Sequence, residues 1–241
     1  MVENLLSVRG VCKSFGGLRV LQSVGLDVAK GSITGLIGPN GSGKSTLFDV
    51  ITRYQRCDEG DVVFAGRSIL GLAPHEVARR GLIRTFQLTR IFPTLTVAEN
   101  LLVFADGNGR KGRRHSGEGD AKAREMLDFV GLLKLAGQEA AALSYGQQKL
   151  LEIAQVLMLG PDLLMLDEPM AGINPGLADE IVQRLRDLRE RGMTLLLVEH
   201  NIPVMQSVCD SITVLNGGRV IASGPPDEVL SDQEVREVFL T

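Results

Sequence analysis

Gly38-Pro39-Asn40-Gly41-Ser42-Gly43-Lys44-Ser45 is the stretch from which the rest of this chain can be read. It follows the pattern G-x-x-x-x-G-K-S, that of a phosphate-binding P-loop. The glycines let successive backbone N–H groups turn inward around an anion, because no Cβ stands in the way. Lys44 adds a mobile cation for the outer phosphates, and the Ser45 hydroxyl is placed to ligate Mg²⁺. The flanks agree. Residues 32–37 read as a short buried strand. Ser45-Thr46-Leu47-Phe48-Asp49-Val50-Ile51 reads as the start of a helix with its positive dipole end aimed at the anion.

Working outward, composition bounds the rest. The chain has 241 residues, 44% hydrophobic and 23% charged, enough to bury a sizeable core. A net charge of -3 argues against nucleic-acid binding through an overall basic field. Cys12, Cys57 and Cys209 lie far apart without a C-x-x-C, which suits a reducing compartment and offers no metal site. The N-terminus has no basic region followed by an apolar stretch, so no secretory signal is read there. No run approaches the roughly 18 apolar residues of a membrane helix. Work at a membrane would then go through a partner.

Residues 5–11 read as a strand and period-two alternation places another at 23–28, with an antiparallel edge sheet as the expectation. Phe15 falls between them in Lys13-Ser14-Phe15-Gly16-Gly17, either as a core plug or as a ring stacked on a nucleobase. Residues 61–65 and 82–87 read as strands, and residues 74–80 as a short helix. Thr96-Val97-Ala98-Glu99 is a T-x-x-E capping box. Residues 106–120 are rich in Gly, Arg and Lys and lack aliphatic side chains, which reads as a mobile surface insertion. Helices follow over 121–135 and 147–159. Leu163-Leu164-Met165-Leu166 and residues 194–198 are nearly all-apolar strands, as in a parallel sheet covered on both faces. Between them, Pro175 opens a helix with Leu177, Ile181, Leu185 and Leu188 as an i, i+4 stripe. Ser231-Asp232-Gln233-Glu234 reads as a last capping box. Alternating β and α elements imply an α/β P-loop fold with a mainly parallel core sheet, an antiparallel β edge and an inserted helical subdomain.

Two acids, Asp167 and Glu168, end the strand at 163–166. Ligands gather at the carboxyl ends of strands in a parallel sheet. There Asp167 can hold Mg²⁺ through water, and Glu168 can polarise a water for attack on a γ-phosphate. Leu143-Ser144-Tyr145-Gly146-Gln147-Gln148 precedes a long helix. Its Ser144 reads either as an N-cap or as a grip on a phosphate from outside. His200 follows the strand at 194–198.

P-loop, Gln87, this hexapeptide, strand-Asp-Glu and strand-end histidine, in that order, resemble the ATP-binding subunit of an ABC transporter over essentially the whole chain. The resemblance implies that ATP and Mg²⁺ are the ligands and that residues 38–46 cradle the phosphates: Gly38, Pro39, Asn40, Gly41, Ser42, Gly43, Lys44, Ser45 and Thr46. It implies base stacking by Phe15. It makes Gln87 the glutamine-loop residue, touching Mg²⁺ or the attacking water, and His200 the switch histidine on the γ-phosphate. Ser144, Gly146 and Gln147 would face the nucleotide of a second ATP-binding subunit, identical or paralogous, in a head-to-tail dimer. Tyr145 and Asn174 depart from the family's usual residues, Gly and Asp.

Arg84-Thr85-Phe86-Gln87, Leu143-Ser144-Tyr145-Gly146-Gln147-Gln148 and Ala171-Gly172-Ile173-Asn174-Pro175 resemble the branch serving branched-chain amino-acid uptake. That implies transmembrane permease subunits, a periplasmic binding protein, no nucleic acid, and a peripheral place on the cytoplasmic face of the inner membrane. Urea or short-amide uptake and lipopolysaccharide export are the alternatives within transport. A soluble ABC-type ATPase would carry a tandem cassette, a coiled coil or a basic arm, and the sequence shows none. A non-catalytic switch would lack the base, yet Glu168 is present. One domain, 1–241, is expected. Residues 1–86 and 160–241 form its nucleotide-binding core, and 87–159 its helical subdomain, with the insertion 106–120 inside.

Overall fold

A computed structural model describes residues 3–85, 91–105 and 116–240. β1 (Asn4–Phe15) and β2 (Leu18–Ala29) form a long hairpin, followed by β3 (Ile33–Ile37) and α1 (Lys44–Ile51). Next come β4 (Glu59–Phe64), β5 (Arg67–Ser68), α2 (Pro74–Arg79) and β6 (Leu82–Arg84). α3 (Val97–Leu102), α4 (Ser116–Phe129), two short 3-10 turns and α5 (Tyr145–Met158) follow. Strand and helix then alternate through β7 (Leu163–Asp167), α6 (Pro175–Glu190), β8 (Thr194–Val198), α7 (Ile202–Val208) and β9 (Ser211–Asn216). β10 (Arg219–Gly224), α8 (Pro226–Ser231) and α9 (Gln233–Leu240) close the chain.

The strands form two sheets. One runs β10-β9-β3-β8-β7-β6, parallel except for β10. The other, β2-β1-β4-β5, is antiparallel throughout. The expected antiparallel edge is therefore a separate sheet, packed over α1. Its pairing partners lie up to 58 residues apart, as Leu6 and Phe64 do, which local alternation does not encode.

β3, β7 and β8 are buried along their whole length. Period two divides their side chains between two cores. Leu163, Met165, Leu196 and Val198 join α1 and the antiparallel sheet, whereas Leu164, Leu166, Leu195 and Leu197 join the helices of the other face. Both faces are covered, as the apolar runs require. On α6, Ile181, Leu185 and Leu188 are buried and Leu177 half-buried. Each fully buried apolar side chain contributes about 1.5–3 kcal/mol.

Helix starts follow their caps. Thr96 Oγ1 accepts from the Glu99 N–H while the Glu99 carboxylate accepts from the Thr96 N–H, the box read from sequence. Asn174 Oδ1 accepts from Leu177 N–H at 3.0 Å, so Asn174 caps α6. At the C-terminus the cap is Asp232, which accepts from Glu234 and Val235, and Ser231 instead ends α8. Two more expectations shift. Phe15 ends β1 rather than lying in a loop, because the hairpin turn is only Gly16-Gly17, both at positive φ. α4 begins at Ser116, five residues before the expected helix start, so 116–120 is helical; the remaining expected insertion, 106–115, lies outside the described residues. Among the described residues no helix is long and apolar enough to cross a membrane.

Candidate nucleotide site

Register aligns the carboxyl ends of three central strands. Leu36 of β3 pairs with Val198 of β8, and Val198 pairs with Asp167 of β7. The P-loop, the 167–168 acids and His200 thus emerge along one edge, the place where parallel sheets collect ligands.

The P-loop is built by close approach. A Cβ on Gly38, φ +154°, would stand 2.0 Å from the Leu215 carbonyl oxygen. On Gly43, φ +107°, it would meet Leu21 at 2.8 Å and the Val20 carbonyl at 3.0 Å. These two glycines let the loop press against β9 and β2. Ser42 Oγ is buried with no hydrogen-bond partner. An orphaned buried hydroxyl in a glycine-rich loop fits a loop shaped for an anion. Lys44 Nζ donates to the carbonyls of Gly38 at 2.7 Å and Pro39 at 3.0 Å. Burial pushes its ammonium below the ordinary lysine value, and the charges of Glu168 and Asp167 oppose that shift. Ser45, at the first turn of α1, is exposed.

Asp167 is 4% exposed. Its Oδ2 accepts from Arg84 Nη2 at 2.7 Å, and Arg84 Nη1 reaches Asp49 of α1 at 2.5 Å. The guanidinium also lies 5.3 Å from the centre of the Phe48 ring. Sequence reading missed Arg84. The signal available was a cation as the last residue of β6, in register with Met165.

Glu168 adopts φ +49°, a left-handed conformation that is rare outside glycine. Its N–H donates to the Val198 carbonyl at 2.9 Å, and its Oε1 lies 2.5 Å from His200 Nε2. Glu199 is buried beside them. Its two oxygens accept from the N–H groups of Met170 at 2.7 Å and His200 at 3.2 Å. Burial raises its carboxyl above the usual glutamate value, and these two bonds pull the other way.

The structure brings Lys44, Asp167, Glu168 and His200 together. Gln87 lies outside the described residues. Phe15 is 43% exposed, with Lys13 Nζ 5.1 Å from its ring centre, so it is not a core plug. Ser144 Oγ caps α5 by accepting from Gln147 N–H, and Gln147 Oε1 accepts from Ser144 N–H. The helix therefore starts two residues before the sequence expectation. Gly146 is buried against Leu177 of α6, whose methyl carbon occupies the place of any added Cβ. The Tyr145 ring packs beside Gly172. These residues sit where the start of α5 meets the start of α6 and the loop before it.

Among the described residues no cluster of three or more His, Cys, Asp or Glu could hold a metal by itself. Ser45 and Asp167 are nevertheless hard oxygen donors, the type Mg²⁺ takes together with phosphate oxygens.

Comparison with known proteins bears on the fold and the family. The family model described as ABC transporter matches residues 21–171, and that described as branched-chain amino acid ATP-binding cassette transporter matches residues 219–240. The chain is 40% identical to the probable branched-chain amino acid transport ATP-binding protein LivG of Archaeoglobus fulgidus, over 98% of this chain and 95% of that one. A crystal structure of an ATP-binding cassette of an ABC transporter in its ADP conformation superposes with a TM-score of 0.89 at 36% identity, covering 99% of each chain. A dimeric cassette in a post-hydrolysis state, bound to ADP and Pi, superposes with a TM-score of 0.81 at 27% identity, covering 92% of this chain and 98% of that one. With a P-loop, a strand-end Asp-Glu pair and a facing histidine on one sheet edge, and with this likeness along its whole length, the chain belongs to the ABC transporter ATP-binding family.

Proposed function

We propose that this chain binds and hydrolyses ATP as the motor subunit of an importer for branched-chain or related amino acids. The observation that carries the hydrolytic part is the 2.5 Å approach of His200 to Glu168 at the strand edge that also presents the P-loop. The amino-acid part is supported by the likeness to a LivG protein and by the match at residues 219–240.

In this reading residues 38–46 cradle the phosphates and Lys44 neutralises the outer ones. Phe15, exposed beside Lys13, stacks on the base. Ser45 and Asp167, with Gln87, hold Mg²⁺, which supplies charge neutralisation at the phosphates when bound. Glu168 accepts a proton from the attacking water, and His200 hydrogen-bonds the γ-phosphate and steadies Glu168. Residues 1–86 and 160–241 act as the nucleotide-binding core and 87–159 as the helical subdomain. Transmembrane permease subunits and a periplasmic binding protein complete the importer, with this chain peripheral on the cytoplasmic face.

Ser144, Gly146 and Gln147 serve the nucleotide of a second subunit, a reading supported by the likeness to a dimeric cassette. Mixing a Lys44→Ala chain with a Ser144→Arg chain tests this. One site of the mixed dimer carries both defects and the other none. ATPase activity above that of either variant alone is expected. No recovery, together with activity strictly linear in chain concentration, would count against a shared site.

Substrate is tested by deleting the gene and measuring uptake of labelled leucine, isoleucine and valine. Loss of uptake, restored by the intact gene and not by Lys44→Ala, is expected. Unchanged uptake of all three, with no paralogue able to substitute, would turn the reading to urea, amides or lipid export.

A further inference from the structure

Two short segments carry the groups on which hydrolysis depends. One is the turn that follows β7, residues 168–171. The other is the loop that follows β8, residues 199–201. Neither is held by regular secondary structure. Glu168, at φ +49°, lies in the left-handed region, and such backbone strain persists only where the surroundings over-determine the backbone.

Three links tie the segments. The Glu168 N–H donates to the Val198 carbonyl, Glu168 Oε1 meets His200 Nε2, and Glu199 accepts from both Met170 N–H and His200 N–H. The third is different in kind. Glu199 is only 5% exposed, points inward from the loop, and binds the backbone of both segments with one carboxylate.

We propose that Glu199 is a positioning residue, which sets the register of the Glu168 turn against the His200 loop so that base and histidine meet at the γ-phosphate. This role rests on the hydrolytic reading above. The chemistry calls for two acceptors on one short stem. A carboxylate offers both. A carboxamide offers one oxygen and turns an NH₂ toward the other N–H. Removing the group leaves two buried N–H donors without partners. The turn then loses its hold, and displacement of a catalytic group by about 1 Å costs about 10²-fold in rate.

The test uses the purified chain and steady-state ATPase kinetics, with binding of a fluorescent ATP analogue and thermal midpoints measured alongside. Glu199→Ala is expected to lower kcat by about 10²-fold. Glu199→Gln, nearly isosteric, is expected to lower it by an intermediate factor. Both should bind the analogue within about twofold of the parent, since no phosphate or base contact is touched. Glu199→Gln should also keep the parent's thermal midpoint. Parent-like kcat in Glu199→Gln overturns the proposal, and so does a kcat loss matched by an equal loss of binding. If Glu199→Ala does not fold, Glu199→Gln alone decides. Glu168→Gln run in parallel separates the two readings. If it hydrolyses ATP normally the hydrolytic assignment fails, whereas if it is inactive while both Glu199 variants match the parent, only the positioning role fails.

Discussion

Replacing Glu168 by Gln is expected to stop ATP turnover and leave ATP binding intact. The side chain keeps its length and an oxygen that can face His200, now 2.5 Å from Glu168 Oε1. It loses the lone-pair basicity that takes a proton from water. General-base removal costs about 10²- to 10⁴-fold. Binding should survive because the P-loop, Lys44 and the Arg84–Asp167 pair stay as they are. The variant should then accumulate as an ATP-bound dimer, seen as an earlier peak on gel filtration with ATP and not with ADP. Turnover by the purified variant within about tenfold of the parent would sink the assignment. Lys44→Ala makes the contrast, since it should lose nucleotide binding as well as turnover.

Arg84→Ala should be the most destabilising single change near the site. Arg84 joins α1 to β7 through Asp49 and Asp167, and its guanidinium lies over Phe48. The Arg84 and Asp167 side chains are 9% and 5% exposed, so little water reaches the pair. Removing the cation strands a buried carboxylate, a loss of about 3 kcal/mol for a pair of this kind. In a chain of this size that lowers the thermal midpoint by roughly 10 °C. Adding Asp167→Asn should restore part of the loss, because no unpaired charge then remains buried. A midpoint within about 2 °C of the parent for Arg84→Ala would show that solvent screens the pair. The double variant should still be inactive if Asp167 holds Mg²⁺.

What could be read without coordinates was local and periodic. The glycines and lysine of 38–45 declare their chemistry by residue type and spacing. The apolar runs at 163–166 and 194–198 declare strands buried on both faces, and their two-core packing follows from a period of two. Thr96 and Glu99 declare a helix start because both capping bonds lie within four residues.

What tertiary structure decided was pairing at long range and backbone conformation that residue type does not predict. The antiparallel strands form a sheet of their own because β1 meets β4 across more than 40 residues, as in Leu6 against Phe64. Arg84 gains its role only when β6 lies beside β7 and its guanidinium reaches across to α1, joining Asp49 to Asp167 over 118 positions of chain. Gly146 has no room for a Cβ beside Leu177 because the start of α5 meets α6 there. Glu168 takes a left-handed turn, and Glu199 is drawn inward to two backbone amides, because the ends of β7 and β8 stand side by side. Spacing along the chain carries the identity of the groups; their distances, and so their chemistry, are settled by which strands lie next to each other.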